Sequence, residues 1–322
     1  MSFRHGGKTL ELIPFEASGR RGIDLPRDRL IKQISLNFDA DLVVTDPGAG
    51  VAGTVAQDSV LHLMPRIEVI GNGSIVLFRG DSRGLYFKNM FEYGTINTIV
   101  VPGAGTAATY PVDFEINIDF ENNVGLVPGD SFLNAPAYTT LKLNILWAAC
   151  AVCFDSDHTM VDTIAANFGV TPVIYESTEP VARLVRIQDV IEKEITATTA
   201  NFPVDLPLGD RIYQDAMFMT TDVDTGVAVR ESDIVNYINL KTDDTFRHFD
   251  RIPWIHLERI NKRDCSLEVQ KDGLAYLKLL EQGRITSGLQ VIDTNSARLN
   301  FDVTVGTGET VLKVYTDAIL PA

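Results

Sequence analysis

Between Tyr110 and Phe120 the chain alternates with a period of two. Val112, Phe114, Ile116, Ile118 and Phe120 are apolar, while Asp113, Glu115, Asn117 and Asp119 are polar. That pattern predicts a strand with one face on a core and one face wet. RLIKQISLNF (29–38) alternates similarly through Ile31, Ile34 and Leu36. HLMPRIEVIGNGSIVLF (62–78) reads as two strands around Gly71-Asn72-Gly73, since Asn-Gly is a hairpin signal. TTLKLNILWAACAVCF (139–154) reads as a longer, better buried strand. Helical patterns are few. DSDHTMVDTIAANFG (155–169) predicts a short helix capped at Asp157 or Thr159 and ended by Gly169, and KDGLAYLKLLEQG (271–283) another, ended by Gly283. Many short strands with frequent turn signals make an all-β sandwich or barrel the expected class.

The chain also repeats itself. IDLPRDRLIKQ (23–33) resembles VDLPLGDRIYQ (204–214): Asp24-Leu25-Pro26 matches Asp205-Leu206-Pro207, and Gln33 falls near Gln214. VLFRGDSRGLYF (76–87) has a fainter echo in DTFRHFDRIPWI (244–255). Internal repeats decide architecture. The separation is about half the chain, and each copy suits an eight-stranded jelly roll, two Greek keys folded as a sandwich. The expected organisation is two tandem jelly rolls: residues 1–160 with an N-terminal arm, a helix-containing linker over 161–180, and residues 181–322, with a few short helices in loops and linker.

Charge narrows the partners. The 322 residues carry a formal net charge of −15, which argues against specific nucleic-acid binding, because phosphate backbones need a basic footprint. Basic residues gather early, at Arg4, Lys8, Arg20, Arg21, Arg27 and Arg29, but Glu11, Glu16, Asp24 and Asp28 dilute them. No apolar run approaches the length of a membrane span, and the N-terminal MSFRHGGKTLEL has no apolar signal region. Three cysteines, Cys150, Cys153 and Cys265, do not form a disulfide framework. Cys150 and Cys153 sit in an apolar run without a helix to lower a thiol pKa, so they read as buried structural residues.

Gly48, Gly50 and Gly53 have the spacing of a dinucleotide-binding turn. No helical stripe follows, Pro65 interrupts the next segment, and the matching stretch TTDVDTGVAVRESD (220–233) lacks the spacing. These glycines therefore read as a connection between strands, and no cofactor is expected. His5, His62, His158, His248 and His256 are scattered, with no H-x-H pair for a cupin-like metal centre. Acidic clusters at 155–157, 221–226 and 241–244 could offer oxygen ligands, but none has EF-hand spacing, and polar turns are the simpler reading. G-x-S-x-G and Walker motifs are absent. No catalytic, cofactor-binding or metal residue is assigned, and the chain is not expected to be an enzyme.

IDLPRDRLIKQISLNF, RIEVIGNGSIVLFRGDSRGLYFKNMFEYG and VDLPLGDRIYQDAMFM together carry a resemblance. They resemble, in order, the early strand, the following hairpin with its aromatic-rich end, and the opening of the second roll in the double jelly-roll major capsid proteins of membrane-containing icosahedral bacteriophages. The similarity is greatest to corticovirus and finnlakevirus coat proteins. The resemblance implies a virion structural protein, assembled in the host cytoplasm as homotrimers with six rolls. These pseudo-hexagonal capsomers would tile an icosahedral shell over an inner membrane. It also implies contacts with neighbouring capsomers, penton and minor capsid proteins, and peripheral contact with the membrane. The competing reading is a carbohydrate- or receptor-binding β-sandwich module, as in a viral spike. That reading wants exposed aromatic platforms, and neither Trp147 nor Trp254 lies in a segment that looks like one.

Overall fold

The computed structural model describes residues 6–45, 55–94, 108–121, 128–153, 161–164, 169–177, 184–223, 228–243, 246–267, 271–280 and 288–321. The first half comprises β1 (Gly6–Thr9), β2 (Ile13–Pro14), β3 (Arg20–Asp24), β4 (Leu30–Thr45), β5 (Arg66–Gly71), β6 (Ile75–Gly80), α1 (Ser82–Tyr93), β7 (Ala108–Asp119), β8 (Leu141–Leu146), β9 (Val161–Ile164) and β10 (Gly169–Ser177). The second comprises β11 (Leu184–Glu194), β12 (Thr199–Asp205), β13 (Ile212–Val223), β14 (Val229–Arg230), β15 (Val235–Thr242), β16 (Phe246–Pro253), α2 (Trp254–Asp264), β17 (Leu274–Lys278), β18 (Leu289–Gln290), β19 (Ala297–Val303) and β20 (Glu309–Pro321).

Pairing makes each half a jelly roll. In the first half β1 pairs β10, β3 pairs β8, β4 pairs β7 and β5 pairs β6, all antiparallel. That is one long nested hairpin. Rolled up, it yields two four-stranded sheets, β1-β10-β4-β7 and β3-β8-β5-β6. The second half repeats the plan: its sheets run β11-β20-β13-β17 and β12-β19-β15-β16. We refer to these as the β4, β5, β13 and β15 sheets. Each pair encloses a core. Ile34, Leu36, Phe114 and Ile116 meet Ile67, Val69, Leu143 and Ile145 in the first, and Phe218 and Val314 meet Ile238, Leu299 and Phe301 in the second. A parallel contact of β6 with β11, Phe78 opposite Gln188, joins the β5 sheet to the β13 sheet.

The repeated D-L-P has the same job in both halves. Asp24 ends β3 opposite Lys142, and Asp205 ends β12 opposite Arg298. Each carboxylate meets that cation, at 3.7 Å and 2.6 Å. The next residue, Leu25 or Leu206, is buried and donates its N–H to the first residue of the paired strand, Leu141 or Ala297, at 2.8 Å in both cases. Proline, lacking an N–H, follows where pairing stops. The Asn72-Gly73 turn also forms: both residues have positive φ, 51° and 76°, as a two-residue hairpin of the favoured twist needs. The β7 alternation holds, with the even-numbered residues from Val112 to Phe120 buried and Asp113 exposed.

Four expectations are corrected. The predicted helix at 155–169 is not one where it is described. Residues 161–164 form β9, Gly169 opens β10, and 155–160 and 165–168 lie outside the described residues. The segment expected as a linker, 161–180, thus supplies the eighth strand of the first roll. It pairs with β1 and β4, partners about 130 residues or more away, which local propensity does not register. The predicted helix at 271–283 is strand β17 over 274–278, and Gly283 lies outside the described residues. Ala275 faces the second core while Leu274 and Tyr276 face away from it onto α1, so both faces are apolar and the period is ambiguous. The run after β8 does not continue as strand: Cys150–Cys153 form a 3-10 turn. All three cysteines are buried and none is in a disulfide. The aromatic-rich segment that follows the hairpin forms α1. Asp81 caps it by accepting from Gly84 N at 2.6 Å, and Gly94 (φ 79°) ends it.

Candidate functional site at the seam between the rolls

Helix α1 follows β6 in the first roll, and α2 follows β16 in the second. Each is pinned to its own roll by one asparagine. Asn89 donates from Nδ2 to Asn117 O at 2.9 Å and accepts from Asn117 N at 2.7 Å. Asn261 does the same to Tyr276 O and N, at 2.6 Å and 2.7 Å. Asn89 and Asn261 are both the eighth residue of their helix. A carboxamide presents one donor and one acceptor in the geometry of a peptide, so it completes the ladder along the free edge of β7 or β17. Sequence reasoning missed both residues. Their signal was their equal place in two helices that themselves went unrecognised.

The helices differ in what their other face meets. α1 lies against the outer face of the β13 sheet, in the second roll. Phe87, Met90 and Phe91 pack on Met217, Met219, Leu274, Tyr276 and Tyr315. The Phe91 and Tyr276 rings stack with centroids 5.3 Å apart. Gly84 lets the helix sit down on the Tyr315 ring, where a Cβ would fall well inside contact distance. Tyr315 cannot swing aside without breaking its hydrogen bond to Asp81 (2.9 Å). Gly84→Ala is therefore expected to destabilise the chain by about 1–3 kcal/mol, read by urea unfolding, despite alanine's better helix propensity. Unchanged or increased stability would contradict this packing.

Charged groups from both rolls converge beside these apolar contacts. Lys88 Nζ on α1 lies 2.6 Å from Asp317 Oδ2 on β20 and 3.1 Å from Gln188 Oε1 on β11. Arg186 on β11 donates to both oxygens of Asp317, from Nε at 3.0 Å and 2.9 Å. Its Nη1 reaches Glu121 O at 2.7 Å. Glu92 stands 3.4 Å from both cations. Burial alone would raise the Asp317 carboxyl, but Arg186 and Lys88 outweigh it and hold it below the usual carboxylate range. Burial would also lower Lys88, yet Asp317, Glu92 and Asp215 raise it, so the ammonium stays charged. Asp215 fares differently. Burial pushes it up to about 7, with Lys88 opposing and Asp317 and Glu92 reinforcing the shift. Three carboxylates and two cations leave one excess negative charge, and Asp215, 4.0 Å from Lys88, is the member that takes up a proton.

Two further clusters bolt α1 down. Asp81, its cap, also accepts from Lys313 Nζ (2.9 Å) and from the Tyr315 hydroxyl on β20. Asp58 joins Arg83 of α1 (3.0 Å) to Arg230 of β14 (2.9 Å), and the Arg230 guanidinium lies 4.8 Å from the Phe87 ring centroid. Where β6 meets β11, Arg79 grips Asp189 with two bonds of 2.6 Å and 3.0 Å. Glu92, Asp215 and Asp317 have carboxylate oxygens close enough to share a metal ion, but Lys88 and Arg186 already supply the cationic charge there.

The residues singled out in the sequence do not assemble into a catalytic constellation among the described residues. His62 bonds Gln57 O at 2.8 Å, His248 bonds Thr242, and His256 is exposed on α2. His5, His158, Gly48, Gly50, Gly53 and the acidic cluster at 155–157 lie outside the described residues. Asp222 spends its oxygens on the amides of Thr307 and Gly308 and the hydroxyl of Thr310, and Asp243 accepts from Asn295 N. These are the bonds of polar turns. Trp147 and Trp254 are buried, the latter bonding Glu258 at 2.8 Å.

Comparison of the whole chain with solved structures places this arrangement. The MCP of the Sulfolobus turreted icosahedral virus matches with TM-score 0.75 at 12% identity, over 99% of this chain and 97% of that one. The fold is the double jelly roll. The major capsid protein of bacteriophage PM2 matches with TM-score 0.66 at 12% identity, over 99% and 98% of the two chains. A PBCV-1 virus capsid chain matches with TM-score 0.62 at 11% identity, over 99% and 95%. No protein-family model matches the chain, and no curated protein matches it in sequence. Double jelly rolls of this extent thus share the fold almost end to end while sharing about one residue in nine, which is what a fold held by pattern and pairing permits.

Proposed function

We propose that this chain is the major capsid protein of an icosahedral virus, a structural protein of the virion and not an enzyme. The observation that carries the reading is the whole-chain double jelly roll, matched over 97% and 98% of two viral coat proteins. The seam supports it. Three clusters of buried charge and an apolar contact fasten the two rolls into one block, which suits a building unit that must keep its shape while neighbours bind.

The finer reading is a trimer. Two rolls of one plan, side by side, let three chains place six similar rolls around an axis, so a threefold assembly gains a near-sixfold outline. Such pseudo-hexagonal capsomers would then meet neighbouring capsomers, penton and minor capsid proteins in a shell over an inner membrane, after assembly in the host cytoplasm. The carbohydrate-binding alternative wants an exposed aromatic platform, and both tryptophans are buried. Sedimentation of the purified chain tests the trimer, with three times the monomer mass expected, and negative-stain microscopy should show hexagonal outlines. A strictly monomeric chain that captures glycans would refute the capsid reading.

A further inference from the structure

We propose that the capsomer is closed by a second seam, built on the plan of the internal one but polar. In it, α2 of one copy lies on the outer face of the β4 sheet of the next copy. The proposal rests on the trimeric reading above and names the surfaces that reading leaves open.

The internal repeat supplies the geometry. Asn89 and Asn261 make α1 and α2 equivalent, and their clamps make Asn117 equivalent to Tyr276. Register carries this across each sheet: Asn117 pairs Ser35, which pairs Val173, as Tyr276 pairs Met217, which pairs Tyr315. In a closed ring of alternating rolls, each first-roll helix rests on the second roll of its own chain. Each second-roll helix must then rest on the first roll of the next chain. The first contact is made within the chain, by α1 on the β13 sheet. The partners of the second, the outward side of α2 and the outer face of the β4 sheet, do not meet within one chain.

Their chemistry is complementary. Aligned on the asparagines, Phe87, Met90 and Phe91 of α1 are replaced in α2 by Arg259, Lys262 and Arg263. All three are exposed, and among the described residues Arg263 meets the adjacent Asp264 at 2.7 Å. On the receiving side the apolar face of Met217, Met219, Leu274 and Tyr276 gives way to Ser35, which is buried, and to the half-buried Asn37, Glu115 and Asn117, with Asp113 exposed beyond them. Apolar knobs on an apolar sheet have become cations facing a polar, acidic sheet, in a chain that is acidic overall.

A groove agrees with this. Between α1 and β7 the space is taken by Arg186 and Gln188 of β11, which bond Glu121 O and Asp119 O at 2.7 Å and 2.6 Å. The equivalent space between α2 and β17 is an open groove of about 440 Å³ lined by His256, Ile260, Asp264 and Lys278 among others. The strand that matches β11 is β1, so the groove awaits the first strand of the next copy.

Charge reversal on the full-length chain, followed by analytical ultracentrifugation, tests the seam. The triple change Arg259→Glu, Lys262→Glu, Arg263→Glu and the double change Asp113→Lys, Glu115→Lys are each expected to weaken trimerisation by about a hundredfold or more. Combining them should recover at least about tenfold, while melting temperatures stay close to the parent. The unaltered trimer should also dissociate between about 0.1 and 1 M NaCl, a readout independent of any variant's folding. If the trimer persists in both reversed variants and in 1 M salt, the seam is wrong and the capsomer reading stands. If the unaltered chain is monomeric under all conditions, the capsomer reading fails and the seam with it.

Discussion

Replacing Asp317 with alanine is expected to cost about 3–5 kcal/mol of stability, the largest loss of any single change in the seam. Asp317 is fully buried and is the common acceptor for Lys88 and Arg186. Without it, the two buried cations lose their shared counter-charge; Lys88 keeps Gln188, Arg186 keeps Glu121 O, and Glu92 stands 3.4 Å from both, while Asp215 lies 4.0 Å from Lys88. An uncompensated buried charge is penalised far more than an intact pair is rewarded, so the loss should exceed that from cutting any exposed pair, such as Arg247 with Asp250. Because the cluster ties α1 of the first roll to β11 and β20 of the second, the variant should also lose cooperativity between the halves. Urea unfolding followed by fluorescence and by circular dichroism measures both. Coincident transitions with a loss under about 1 kcal/mol would mean that the seam does not depend on this carboxylate.

The second large effect is with pH, and its sign is set by Asp215. Its carboxyl is raised from the ordinary 3.8 to about 7 in the folded chain. Between those values the folded state holds a proton that the unfolded state has released, so stability falls as pH rises from about 4 to 7 and levels off above. At about 1.4 kcal/mol per pKa unit the whole effect is on the order of 4 kcal/mol. Asp58, Asp81 and Asp317 act in the opposite sense. Burial would raise each, but Arg230 and Arg83, Lys313, and Arg186 with Lys88 respectively hold them low. Their contribution is present above pH 3.8 and disappears as acid protonates them in the fold. The stability maximum should therefore be mildly acidic. Asp215→Asn, which keeps the shape without the charge, should raise stability at pH 8 and flatten the slope between pH 4 and 7. The groups facing this position are Lys88, Glu92, Arg186, Tyr276 and Asp317; burial, reinforced by Glu92, also raises Asp119, so part of the slope, with the same sign, should remain in the variant. An unchanged slope in the variant would assign the pH dependence elsewhere.

Much of this architecture was legible before any coordinates. Period-two alternation marked β4 and β7, because each has one face on a core and one that is not. Asn72-Gly73 marked its hairpin, because few residues other than glycine and asparagine adopt positive φ at low cost. D-L-P marked the same strand end twice, through an acid for the cross-strand cation, an apolar anchor and a residue that cannot pair. From these came two rolls and their order. The glycines at 48, 50 and 53 lie outside the described residues.

The failures cluster where the two rolls touch. α1 carries no clean polar stripe, because it is wedged between its own roll and the next; Lys88, Asn89 and Arg83 are as buried as Phe87. β17 looks helical because α1 supplies it with a second apolar face. The ionic cluster could not be foreseen, since Lys88 and Asp317 stand 229 residues apart and neither has a distinguishing local context. By itself the sequence determined which segments extend, where they turn and that one plan is used twice, because those properties depend on side chains and φ angles within a few residues. Only the tertiary structure decided which helix is buried, which carboxylate keeps its proton and which faces remain open to another copy. Those depend on desolvation and charge from elements that meet only after the chain has rolled up twice.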